Sequence, residues 1–140
     1  MITQGTQVTG RCDQCGGVLT RDVGQFIERG RLRWGSEGRC EDCRAGWCEQ
    51  GSGPVTPEYI RHALLQVHGP AQLRLTGEAP SLVLVLKALR EAQELPMGEA
   101  RARAAQLAAS GLVGTLVEME FLAIHLRKQA VAVAVDLRAV

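Results

Sequence analysis

Two cysteine pairs, Cys12-Asp13-Gln14-Cys15 and Cys40-Glu41-Asp42-Cys43, constrain this 140-residue chain more than any other feature. The Cys-x-x-Cys spacing brings both sulfurs to one side of a tight turn. Glycines follow each pair, Gly16-Gly17 after the first and Gly46 after the second, and allow backbone N–H groups to turn back toward the thiolates. Two such pairs make a tetrahedral four-thiolate site that suits zinc and is closed to water. The expected cofactor is therefore one structural zinc per chain, held by Cys12, Cys15, Cys40 and Cys43. Iron accepts the same ligands and is the second choice. In a reducing compartment paired motifs of this kind read as metal ligands, with free or disulfide-bonded thiols as the alternative. Cys48 makes the count odd. The histidines nearest in sequence, His62 and His68, are not placed beside it by any spacing, so it reads as a packed or exposed thiol rather than a nucleophile.

The pairs are separated by 24 residues, enough for a long hairpin, and residues 8–50 resemble a four-cysteine zinc ribbon. Between them Phe26–Trp34 is strand material, with Gly30 as a bulge or turn. In an extended chain Phe26, Leu32 and Trp34 share one face and Arg29, Arg31 and Arg33 the other. Arg29, Arg31, Arg33 and Trp34 are thus a candidate nucleic-acid contact, with Trp34 or Trp47 as a stacking platform. A solvated strand face, neutralised by Glu28 and Glu37, is the simpler reading. Composition agrees with it: 16 basic against 15 acidic residues, balanced within each half, do not make a general polyanion binder. The polar start MITQGTQVTG lacks a signal-peptide core, and no apolar run approaches the ~20 residues that span a bilayer. A cytoplasmic chain with no membrane partner is expected.

Glu49-Gln50-Gly51-Ser52-Gly53-Pro54 marks a boundary, because Gly, Ser and Pro in succession favour turns. The expected domains are 1–53, a linker and connecting helix over 54–70, and 71–140. In the connecting helix Thr56 is a good cap, Pro57 a good first residue and Glu58 a favourable first-turn charge. Ile60, Ala63, Leu64 and Val67 then recur at helical spacing until Gly69-Pro70. Leu73 and Leu75 alternate with polar residues in a first strand. Ser81 can cap a helix from Leu82, and a second helix runs from Pro96 to about Ala109. Leu112–Val117 reads as a short strand and Glu118–Gln129 as a helix with Phe121, Leu122 and Leu126 inward. Val131, Val133, Val135 and Leu137 alternate in a closing strand. The fold class is α+β: a β-rich zinc ribbon, one extra helix, then a two-layer βααβαβ sandwich.

The run Leu82–Leu86 reads equally as a short buried strand, but if the stretch from Leu82 is helical, Val83, Leu86, Lys87 and Arg90 fall on one stripe, while Val85, Ala88, Leu89 and Ala92 fall on a neighbouring stripe suited to a core. The first stripe is free for a partner. Residues 71–137 resemble the C-terminal domain of the bacterial large-subunit ribosomal stalk protein. That family carries Val-x-x-Ile-Lys-x-x-Arg followed by Gly-Leu-Gly-Leu-Lys-Glu-Ala-Lys. Here the matching residues are Val83-x-x-Leu86-Lys87-x-x-Arg90 and Glu94-Leu95-Pro96-Met97-Gly98-Glu99-Ala100-Arg101. The resemblance implies a helical hairpin that recruits a translational GTPase, or another ribosome-associated protein, through Val83, Leu86, Lys87, Arg90, Met97 and Arg101. Gly98 stands where the family has Lys, and Glu94 and Pro96 where it has Gly.

No phosphate loop, zinc-protease motif or nucleophile signature occurs, so a non-enzyme is expected. The leading function is a protein-interaction module. A nucleic-acid-binding regulator and a small inhibitor or immunity-type protein are the alternatives.

Overall fold

The computed structural model describes residues 2–138. The chain is α+β. Strands β1 (Thr3–Arg11), β2 (Val18–Glu28), β3 (Arg31–Cys40) and β4 (Gly46–Ser52) come first, then helix α1 (Glu58–His68). They are followed by β5 (Ala71–Leu75), α2 (Leu82–Gln93), α3 (Met97–Ala109), β6 (Leu112–Gly114), α4 (Leu116–Lys128) and β7 (Val133–Leu137). Two compact units divide between Val67 and His68. No helix among the described residues is long and apolar enough to cross a membrane.

The first unit is an antiparallel meander with strand order β1-β2-β3-β4. β2 and β3 are joined through Arg29 and Gly30, whose φ values of 51° and 75° are those of a two-residue primed hairpin turn. That turn corrects the extended reading of Phe26–Trp34. Phe26 pairs with Arg33 and Gln25 with Trp34, so Phe26 shares a face with Arg33, while Trp34 lies on the opposite one. Trp34's face is covered by α1: Val23, Ile60, Ala63 and Leu64 form a buried cluster against which Trp34 packs. Full burial of Ile60 and Leu64 contributes at most about 1.5–3 kcal/mol each. Gln25, also buried, donates to the Thr56 hydroxyl at 2.8 Å and ties the segment before α1 to the sheet. Thr56 therefore sits against β2, and α1 belongs to this unit.

β4 runs through Glu49, Gln50 and Gly51 to Ser52, so most of the Gly- and Ser-containing stretch that marks the boundary is itself sheet. The glycines there serve packing. The Trp34 ring lies where a Gly51 side chain would start, 2.6 Å from an added Cβ, and the Trp47 ring does the same at Gly38, at 2.3 Å. Trp34 and Gly51 are cross-strand partners, as are Gly38 and Trp47, so each indole lies across a glycine of the neighbouring strand.

The second unit is a three-stranded antiparallel sheet, order β6-β5-β7, packed against helices. Ala71 and Leu73 on β5 face a core made with Val85, Leu89, Leu107, Leu112, Leu122 and Leu126, all buried. Three local expectations are corrected. Ser81 occupies the N-cap of α2, but its side chain makes no capping bond. The Leu112–Val117 strand ends at Gly114, because Thr115 and Glu118 form a reciprocal capping box that starts α4 at Leu116. In β7 only Val133 is buried and Leu137 is exposed, while Val131 is buried ahead of the strand.

Candidate functional site

The ends of the hairpins in the first unit bring the four expected ligands together. Cys12 follows β1 and Cys40 ends β3, and each opens a knuckle of the same form. The Cys12 N–H donates to the Gly17 carbonyl at 2.9 Å and the Cys40 N–H to the Ala45 carbonyl at 2.8 Å. The Gly16 and Arg44 N–H groups donate to the Cys12 and Cys40 carbonyls at 2.8 and 3.2 Å. Both knuckles place a left-handed residue directly after the second cysteine: Gly16 at φ 74° and Arg44 at φ 61°. The second knuckle therefore makes this bend without glycine, which corrects the expectation that glycines serve both turns. Asp42 crosses from the second knuckle to the first and accepts the Val18 N–H at 3.0 Å. Gly17 is the residue that leaves room for it, since an added Cβ would stand 2.0 Å from the Asp42 carboxylate.

The four Sγ atoms lie within 4.8 Å of one another. Cys12 and Cys43 sulfurs are 3.7 Å apart and Cys15 and Cys40 sulfurs 3.5 Å. An ion about 2.3 Å from each of four sulfurs at tetrahedral angles requires separations of about 3.8 Å, so the cage fits one metal. Cys12 and Cys40 are buried against Leu19, with Trp47 packed over them, whereas Cys15 and Cys43 are exposed. Backbone N–H groups from Gly17 and Cys43 reach Cys15 Sγ and Cys40 Sγ at 3.4 and 3.5 Å, the contacts that stabilise metal-bound thiolates.

The thiols divide sharply in acidity. The Cys43 and Asp42 N–H groups, against the cost of burial, bring Cys40 down to about 7. At Cys15 the Gly17 N–H favours the thiolate, but contacts with Cys40, Cys43 and Cys12 together with burial outweigh it and push the thiol up to about 12. Cys43 is also raised: the Ala45 N–H favours its thiolate, but Cys40, burial and Cys12 act against it. Four anionic sulfurs this close repel one another unless a cation sits among them, which is the chemistry of a metal cage.

Cys48 lies apart from this cage. It is exposed on β4 opposite Glu37, and no histidine belongs to the open pocket it lines.

Of the four residues named for nucleic-acid contact, Arg31 and Arg33 share a face of β3 and Arg29 lies in the adjoining turn, while Trp34 is set apart from them. Arg29 occupies the hairpin turn. Arg33 is half-buried, bonds Glu28 at 3.1 Å and lies 6.0 Å from the Phe26 ring centre; Arg31 precedes it on the same face. Trp34 lies on the helix-covered side. Trp47 is engaged as well, under the Arg21 guanidinium at 5.2 Å.

In the second unit, Val83, Leu86, Lys87, Arg90, Met97 and Arg101 line one open groove of about 710 Å³ between α2 and α3, with Glu91, Glu94 and Leu95 completing it. Val83 is 72 % exposed and Met97 40 %. Leu86 differs from the expected free stripe: at 9 % exposure it is buried. Arg90 also works within the fold, since its Nε donates to the Leu95 carbonyl at 3.3 Å across the hairpin turn. At that turn Glu94 is left-handed, φ 53°.

No known family model matches this chain, and no curated protein or solved structure matches it either. The resemblance to the ribosomal stalk domain thus has no support from these comparisons, whereas the four-cysteine cage stands on its own geometry as a site able to hold one metal ion.

Proposed function

We propose that this chain is a non-enzymatic interaction module: a structural zinc folds the first unit, and the α2–α3 groove of the second docks an acidic, amphipathic segment of a protein partner. The observation that supports docking is the convergence of Val83, Leu86, Lys87, Arg90, Met97 and Arg101 on one groove. An apolar centre whose rim carries Lys87, Arg90 and Arg101 against Glu91 and Glu94 keeps a net positive charge and is suited to such a segment, the apolar part supplying affinity and the charges steering and register. Following the stalk resemblance, the partner is a translational GTPase or a ribosome-associated factor. Zinc is the metal favoured by four thiolates, which also fill its coordination sphere and leave no place for a reacting water.

The test uses Lys87 and Arg101 rather than Arg90, because Arg90 also supports the hairpin turn. A labelled chain carrying Lys87→Glu and Arg101→Glu should lose at least tenfold in affinity for a translational GTPase that binds the unaltered chain, with its thermal unfolding unchanged. Equal binding by both chains, or no binding by the unaltered one, overturns the reading.

A further inference from the structure

The two sheets have four outer strands, and they are not equally protected. β6 has three residues, β7 carries Asp136 bound to Arg74, and β4 carries Glu49. β1 differs. It has nine residues, pairs with β2 without a bulge and has no proline, and no charge occurs from Thr3 to Gly10. Short length, charge, proline and bulges are the usual means of keeping a sheet edge from pairing with another strand, and β1 has none of them before Arg11.

The ladder fixes which groups point outward. The Ile27 N–H bonds the Ile2 carbonyl at 3.0 Å, so even-numbered residues of β1 bond to β2 and the backbone groups of Gln7, Thr9 and Arg11 face away from the sheet. Beside this edge, on the helix-covered face, an open groove of about 530 Å³ lies between β1 and α1, and its lining includes Val8, Tyr59, Ala63 and Val67 together with Arg21 and His62. Val8 is 36 % exposed and Val67 58 %.

We propose that β1 is a homodimerisation edge: two copies of this chain pair antiparallel through β1, joining their sheets into one, with Val8 opposite Val8 at the two-fold axis. In this register the outward groups of Gln7 meet those of Thr9 of the second copy, and the reverse, as an isologous contact requires. Arg11 falls opposite an uncharged position, so no like charges are set face to face. Val8 occupies a non-hydrogen-bonded pair, where side chains approach most closely, and the two grooves become one across the axis. A second copy suits the edge better than a charged peptide, because β1 itself carries no charge between Thr3 and Gly10 and the guanidinium of Arg21, which lines the groove beside Val8, is already engaged 5.2 Å from the Trp47 ring centre and 5.8 Å from that of Tyr59.

The experiment is sedimentation of the full, metal-loaded chain over a wide concentration range. The unaltered chain should reach twice the single-chain mass and dissociate on dilution. Thr9→Pro removes an outward N–H, which an edge strand tolerates, and Val8→Lys sets two cations together at the axis. Both variants should stay at single-chain mass while retaining their metal. Amide exchange on the unaltered chain gives a readout that does not depend on variants folding: Gln7 and Thr9 should be protected at high concentration and lose protection on dilution. Single-chain mass at every concentration, a dimer indifferent to both variants, or equally fast exchange of Gln7 and Thr9 throughout overturns the proposal. So does a chain that stays monomeric and binds an extended peptide at β1 instead.

Discussion

Arg44 and Glu94 hold backbone conformations that ordinary residues avoid, with φ values of 61° and 53°. A left-handed residue with a Cβ costs about 1–2 kcal/mol, part of which glycine gives back through its freer unfolded chain. Arg44→Gly and Glu94→Gly should therefore each stabilise their unit by about 0.5–1 kcal/mol, seen as a higher urea midpoint at unchanged slope. His125 acts in the opposite sense. Burial first, then Lys128, lowers its pKa below the ordinary 6.5, and Glu91, 3.9 Å away, only partly opposes them. Below about 6.5 the unfolded chain takes up a proton that the folded one resists. Stability of the second unit should thus be level above that pH and fall as the pH drops through it. In His125→Gln that fall should shrink, as followed by chemical unfolding at a series of pH values.

At the scale of elements, the start of α4 shows what patterning reveals and what it conceals. Leu112-Val113-Gly114-Thr115-Leu116-Val117 is apolar enough to read as strand throughout, yet the Thr115 hydroxyl accepts the Glu118 N–H at 3.1 Å and Glu118 Oε1 accepts the Thr115 N–H at 3.0 Å. Thr115→Ala should cost about 1–2 kcal/mol, measured as a fall in the unfolding free energy of the second unit, because Thr115 is buried and its loss orphans a helix donor. The cysteine pairs, α1 and α3 were legible because their signals are local: ligand spacing, helical period, and Pro or Gly at the helix ends; the apolar run that opens α2 fits strand as well as helix, and only the family resemblance favoured the helix. β1 was not legible. Thr3, Thr6, Val8 and Thr9 suit extended backbone, but an outer strand with polar residues on both faces shows no alternation. The faces of β2 and β3 were misread for a related reason: a two-residue turn at Arg29-Gly30 changes which residues share a side, and no count along an unbroken strand can register it. Of the candidate sites, the cage was legible in full and the groove in its residues, but the burial of Leu86 and the bond from Arg90 to Leu95 depend on how α2 and α3 meet.

For the whole molecule, two units with separate cores imply two separable stabilities. The first rests on small clusters around Val23 and around Cys12, Leu19 and Cys40, and four neighbouring sulfurs are a liability without a cation. Adding a chelator should release about one zinc per chain and unfold the first unit, while the second keeps its own cooperative transition; calorimetry with and without chelator checks this. A single transition shifted as a whole would contradict it. The two indoles make the same event visible without a label. Trp47 rests on the cysteine cluster and Trp34 on the α1 cluster, and the chain has no other tryptophan. Emission excited at the red edge of the indole band, where Tyr59 does not absorb, thus comes from two built-in reporters, one beside the thiolates and one beneath a helix, with the second unit dark. Replacing either with phenylalanine would tell whether loss of the ion or departure of α1 comes first.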